Sequence, residues 1–259
     1  MSMNKIRITV WNEFIHERVH ASCKKVYPSG MHETIAAALR KDPVFEVRTA
    51  TMNQKDHGLP QSVLDQTDVL IWWGHAAHGR VKDKIVDRVY ERVLKGMGLI
   101  VLHSGHMSKP FRKLMGTSCC LRWREAAERE FLWVVNPYHP ITQGLDPVIE
   151  IPNTEMYGEF FDVPKPDDII FISNFEGGDV FRSGMTWTRG LGKIFYFRPG
   201  HETYPIYHHP DVQKVIANAC KWLPFAGNTQ TPGVLNCPHV KNSQVPFPPK
   251  DYKAEPTPH

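Results

Sequence analysis

Three apolar runs in this chain each lead into histidines. Val69-Leu70-Ile71-Trp72-Trp73 runs into Gly74-His75-Ala76-Ala77-His78, Leu99-Ile100-Val101-Leu102 into His103-Ser104-Gly105-His106, and Ile194-Phe195-Tyr196-Phe197 through Arg198-Pro199-Gly200 into His201-Glu202. Imidazole titrates near neutrality and is a common metal ligand, so neutral rings gathered with a carboxylate can hold a divalent ion or pass protons. His75, His78, His103 and His201 are the expected ligands of a divalent metal, zinc foremost, with His106 and Glu155 in the same pool. Two histidines and one carboxylate with an open position would activate water or a sugar hydroxyl. A metal-free acid–base site built from the same residues stands beside that reading.

His103-Ser104 falls where a strand turns into a helix, a geometry that lifts a side chain out of the sheet and aims backbone amides above it. A Ser104 nucleophile with His201 as base is one use of that turn. Against it, G-x-S-x-G is absent, Leu102 standing where the first glycine belongs. Ser104 can also satisfy a backbone group. The stretch Thr154-Glu155-Met156-Tyr157-Gly158-Glu159-Phe160-Phe161 mixes carboxylates with aromatics, as carbohydrate sites do. Period two places Glu155 with Tyr157 or Glu159 on one side of a strand. The expected catalytic set is therefore His103, Ser104, Glu155, Tyr157, His201 and Glu202. Asn12, Glu13, His16, Tyr27 and His32 are expected to form a polyol-binding lip beyond the first strand. Trp73, Glu159, Arg182 and Arg198 complete the expected sugar contacts, an arginine being suited to orient an acidic or carbonyl group.

Continuous β-branched and aromatic runs suit strands buried on both faces of a parallel sheet, whose carboxyl-end loops line the ligand crevice. Strands are predicted at 6–11, 45–50, 69–73, 98–102, 132–135, 148–151, 169–173, 185–188 and 194–197, with a turn over 188–193 joining the last two. Helices are predicted at 32–40, 81–94, 211–223, and from a Ser108 cap through 114. The result is an α/β domain over 1–224 with a β-rich second half. A Pro-rich extended tail follows over 225–259, either disordered or an arm over the same or another subunit.

The 259 residues are 41% apolar with seven tryptophans, ample for a core. The formal charge of +4 is dispersed among acidic residues rather than gathered in a stripe, which argues against a nucleic-acid partner. No stretch reaches membrane-span length and no apolar leader is evident, so a cytoplasmic protein is expected. Five cysteines without C-x-x-C spacing indicate reduced thiols, with Cys119-Cys120 read as a small buried pair. The aromatic second half and residues from Phe225 onward are candidate homo-oligomer contacts.

Taken together, Trp11-Asn12-Glu13-Phe14 with His16, Tyr27-Pro28 with Gly30 and His32, Trp73-Gly74-His75 with His78, Leu102-His103-Ser104, Glu155-Met156-Tyr157-Gly158-Glu159-Phe160 and Phe195-Tyr196-Phe197-Arg198-Pro199-Gly200-His201-Glu202 resemble the trehalose-utilisation (ThuA-like) family. The resemblance covers roughly the first nine-tenths of the chain, ending near Pro224. It implies a flavodoxin-like fold similar to class I glutamine amidotransferases, a parallel sheet with helices on both faces. His103-Ser104 stands where an amidotransferase needs its cysteine, so thioester chemistry is not expected, while His201 and Glu202 lie at the positions of that family's histidine and acid. It also implies a role in disaccharide catabolism beside a sugar-oxidising dehydrogenase. The expected substrate is a disaccharide or keto-disaccharide, cleaved or isomerised with metal assistance. A non-catalytic sugar-binding or regulatory protein on the same scaffold is the alternative.

Overall fold

The computed structural model describes residues 5–226 and Lys253, so the expected Pro-rich tail lies, apart from its first residues, outside the described residues. Nine strands form one sheet among the described residues: β1 Ile6–Asn12, β2 Phe45–Thr51, β3 Val69–Trp73, β4 Gly98–Leu102, β5 Arg122–Val134, β6 Val148–Gly158, β7 Asp168–Phe175, β8 Val180–Arg189 and β9 Gly192–Phe197. Their spatial order is β2-β1-β3-β4-β9-β8-β7-β5-β6. The first five neighbours are parallel and carry the order of a flavodoxin-like sheet. From β9 onward every pairing is antiparallel. The fold is thus mixed α/β, and the β-rich second half continues the parallel sheet instead of adding a separate layer.

Seven α-helices complete the described residues: α1 His16–Val19, α2 Ala21–Val26, α3 Met31–Leu39, α4 Gln61–Leu64, α5 Asp83–Leu94, α6 Lys109–Met115 and α7 Pro210–Trp222. Every residue of β3 and β4 is buried because helices cover both faces. Ile85, Val86, Val89 and Val93 of α5 join Phe111 and Leu114 of α6 in one core with Trp72, Leu99 and Val101. Met31, Ile35 and Leu39 of α3 join Val212, Val215 and Ile216 of α7 in the other, against Ile71, Ile100 and Leu102. Each buried aliphatic side chain contributes about 1.5 to 3 kcal/mol by leaving water.

Several boundaries move, each for a local reason. Helix α5 starts at Asp83, because Lys82 is still extended at ψ 135°. Ser108 occupies the N-cap position of α6, yet its hydroxyl makes no capping bond. Pro110 stands at the second helical position and removes one of the two amides a cap would accept from. Strand β5 starts ten residues earlier than its apolar core suggested. Its exposed, charged opening is held by the ladder to β6, with Arg122 opposite Gly158 and Trp123 opposite Tyr157. The turn between β8 and β9 falls where predicted, and Gly190 there has φ +58°, with no room for a side chain against the Leu94 carbonyl.

Candidate active site

Beyond the carboxyl ends of β3, β4 and β9 lies a cavity of about 790 Å³. His75, His78, Ser104, His106, His201 and Glu202 line it from the parallel half. Trp123, Glu125, Glu155 and Tyr157 line it from β5 and β6, and Met107, Cys120 and Leu121 complete the wall. Both halves of the sheet are therefore needed to enclose it.

His103 ends β4 and turns the chain with φ +48°, a left-handed conformation costly for a residue bearing a side chain. Gly200, in the loop after β9, leaves room for this turn, since a Cβ there would fall 2.7 Å from that of His103 and 2.3 Å from the Tyr207 hydroxyl. The His103 ring is fully buried, and its Nδ1 donates to the Arg198 carbonyl at 3.0 Å. The remaining nitrogen, Nε2, thus carries the lone pair of a neutral ring, and burial lowers the ring's pKa in favour of that form. Tyr157 stacks on it with ring centres 4.7 Å apart and donates its hydroxyl to Nε2 at 3.3 Å. Glu155 Oε2 sits 3.1 Å from the same nitrogen, buried and without a hydrogen-bond partner. Burial opposes the Glu155 charge, but the hydrogen bond with His103 and the nearby His201 and His75 rings outweigh it and hold that carboxyl below its ordinary range.

His201 has the opposite tautomer. The Thr203 backbone N–H donates to His201 Nδ1 at 3.1 Å, so in the neutral ring the proton sits on Nε2. Nε2 faces Glu125 Oε2 at 3.4 Å and Glu202 Oε2 at 3.8 Å. Glu125 is also bonded by the Tyr204 hydroxyl. Burial, with His103 nearby, lowers the His201 pKa. On the other side Glu202 Oε1 meets His75 Nδ1 at 3.3 Å and His16 Nδ1 at 3.7 Å, while His75 Nδ1 lies 3.1 Å from His16 Nε2. The hydrogen bond to Glu202 raises the His75 pKa. Burial opposes the Glu202 charge, but His75 and His201 outweigh it and hold that carboxyl well below its ordinary range.

The four histidines expected to bind one metal do not gather round one point. Potential ligand atoms of His16, His75 and Glu202 lie within 4.8 Å of one another, as do those of His103, Glu155 and His201. His78 belongs to neither group, and burial pushes its pKa down to about 4. His106 donates from Nδ1 to the Cys119 carbonyl at 2.7 Å. Ser104 lines the cavity, but its hydroxyl donates to the Gly74 carbonyl at 3.0 Å. Of the expected buried thiol pair only Cys119 is buried, Cys120 being exposed on the cavity wall.

None of the nine residues expected to touch sugar lines the cavity. Those beyond β1 shape the loops behind it. Glu13 accepts from the amides of Ala76 and Ala77 at 2.7 and 3.0 Å, which fixes the loop carrying His75. Asn12 bonds Glu17 and His32, and the buried Tyr27 hydroxyl donates to the Tyr204 carbonyl. Trp73 lies edge-on to His16 and His75. Arg182 is occupied by Glu159, which does not line the cavity. Arg198 is fully buried and pairs with Glu130 at 2.7 Å while its other guanidinium nitrogen holds the Glu155 carbonyl at 2.6 Å. Sequence reasoning missed Trp123, Glu125, Glu130 and Thr203. The charged run around the first two resembles a solvated face, and the last two act through atoms no motif displays.

No curated protein matches the chain significantly. The fold is shared with a ThuA-like protein of Bacteroides uniformis, at 15% identity and TM-score 0.62 over 86% of this chain and 92% of that one. A ThuA-like protein of Parabacteroides merdae gives 13% identity and TM-score 0.61 over 88% and 93%. A cytoplasmic protein of Salmonella typhimurium gives 11% and 0.59 over 84% and 99%. Among the described residues no helix is long and apolar enough to cross a membrane. The sequence profile described as trehalose utilisation, ThuA, matches residues 7–223, and the chain belongs to that family.

Proposed function

We propose that this protein is an enzyme of disaccharide utilisation that cleaves or isomerises a keto-disaccharide by removing a proton beside the carbonyl. The observation that carries this reading is the pairing of an unpartnered buried oxygen, Glu155 Oε2, with a neutral His103 in the floor of the cavity. Family membership supports the substrate class.

A carbonyl acidifies the neighbouring C–H, and Glu155 is placed to accept that proton. Once there, the proton is shared with His103 Nε2 3.1 Å away, which relieves the juxtaposed lone pairs and draws the transfer forward. The Nε2–H of His201 then serves the opposite need. From the neutral ring it can hydrogen-bond an oxygen that gains charge, either the carbonyl in isomerisation or the glycosidic oxygen in cleavage, while the proton held by Glu155 is the one returned to product. Glu125 and Glu202 face Nε2 and orient that N–H. The imidazole and carboxylate donors of the site fit a divalent ion, which when bound would polarise the carbonyl. Ser104 is engaged by Gly74 and has no role in this scheme.

The test is proton NMR of the protein with an enzymatically oxidised disaccharide. Product formation in the parent, lost in Glu155→Gln and retained in Ser104→Ala, supports the reading. Saturable binding with no turnover under any metal condition would overturn it in favour of a sugar-binding role.

A further inference from the structure

We propose that His16, His75 and Glu202 form a binding site for one first-row divalent cation, distinct in its ligands from the proton-transferring group of His103, Glu155 and His201. The inference deepens the keto-sugar reading by locating the ion, but it concerns metal binding alone and is tested without substrate.

Two of the three spacings are those of a coordination shell. Metal–nitrogen bonds of about 2.0 to 2.2 Å in tetrahedral or octahedral sites put neighbouring donor atoms about 3.1 to 3.4 Å apart. His75 Nδ1 lies 3.1 Å from His16 Nε2 and 3.3 Å from Glu202 Oε1. The third edge is longer, His16 meeting Glu202 Oε1 through Nδ1 at 3.7 Å, and ligand atoms of all three residues fall within 4.8 Å of one another. Two imidazoles and a carboxylate on one side of an ion leave positions open on the other, and His75 and Glu202 both face the cavity.

The surroundings hold these donors in place. Glu13 receives both oxygens' worth of hydrogen bonds from the amides following His75, and its Oε1 lies 3.9 Å from His16 Nε2. Trp73 supplies an apolar backing edge-on to both rings. Supporting groups of this kind orient ligands and are a regular part of metal sites. The second group is a poorer host. His201 accepts a backbone N–H at Nδ1, which commits Nε2 to carrying the proton where a metal would need its lone pair.

The experiment is metal analysis of the full chain after chelation and reconstitution with zinc, manganese or cobalt, together with the visible spectrum of the cobalt form. One ion per chain is expected. His75→Ala and Glu202→Gln should weaken retention at least tenfold and alter the cobalt spectrum, whereas His201→Gln should keep both. Circular dichroism of each variant separates lost ligation from lost folding. Unaltered stoichiometry and spectrum in folded His75→Ala and Glu202→Gln would overturn the assignment. So would a parent that takes up no ion, which would leave His16, His75 and Glu202 as a hydrogen-bonded trio only.

Discussion

The Arg198 main-chain carbonyl accepts the Nδ1 proton of His103 at 3.0 Å, while the same residue's guanidinium holds the strand that carries Glu155. One residue thus sets both the tautomer of the neutral ring and the position of the carboxylate it faces. Arg198 and Glu130 are both completely buried. Removing one partner strands a charge, at a typical cost of 3 to 5 kcal/mol, roughly. Arg198→Met should lower stability by that amount in urea unfolding, and Arg198→Met with Glu130→Leu should recover most of it. A single variant as stable as the parent would show that the pair contributes little.

His201→Leu keeps a side chain of similar volume but has no N–H to donate. It should reduce kcat about 100- to 1,000-fold with a small change in KM, the range for loss of one donor to a developing oxyanion. Glu125→Gln should cause a smaller loss, because Glu202 still faces the ring. An equal fall in kcat and rise in KM for His201→Leu would instead assign that residue to substrate binding.

Trp123 is 65% exposed and opposes Tyr157 across the β5–β6 ladder. An indole face there suits the second sugar ring, and aromatic packing contributes about 0.5 to 1.5 kcal/mol. Trp123→Ala should raise KM for a disaccharide up to roughly tenfold with kcat preserved. Inhibition by a monosaccharide bound over His103 should be unaffected. Equal weakening of both would remove the second-ring assignment.

Stability should fall with acid before the carboxylates titrate. Burial pushes His106 down to about 3. In the unfolded chain its pKa is about 6.5, so the unfolded state takes up the proton first. The stabilisation from the neutral ring is complete above the unfolded value and drains away as pH drops toward the folded one. The slope reaches about 1.4 kcal/mol per pH unit for each such group. Between pH 6.5 and 5 the urea midpoint should decline, and His106→Gln should flatten the decline by one proton's worth. An unchanged slope would show that His106 titrates alike in both states.

The parallel half was legible because strands buried on both faces announce themselves as unbroken apolar runs, as in Val69–Trp73. The start of β5 was not, because Arg122 through Ala127 are exposed, and the strand is held there by Arg122, Trp123 and Arg124 pairing with β6 rather than by its own composition. The site divided in the same way. His75, His103 and His201 could be picked out by residue type and strand-end position, and Glu155 by the carboxylates and aromatics around it. The grouping of His16 with His75 and Glu202 could not, since it depends on where the loop after β1 folds back. The arginines and the loop residues were read as sugar contacts because sequence shows a polar group without its partner. In the structure Glu159, Glu130 and the Ala76 and Ala77 amides already occupy them.

Every α-helix among the described residues precedes β5 or follows β9, so helical ellipticity at 222 nm reports on the parallel half alone. Glu155, Tyr157, Trp123 and Glu125 all come from the other half. If heat or urea peels the antiparallel strands away first, turnover will vanish while the spectrum still looks native. Spectroscopic melting would then overstate the temperature range in which this protein works.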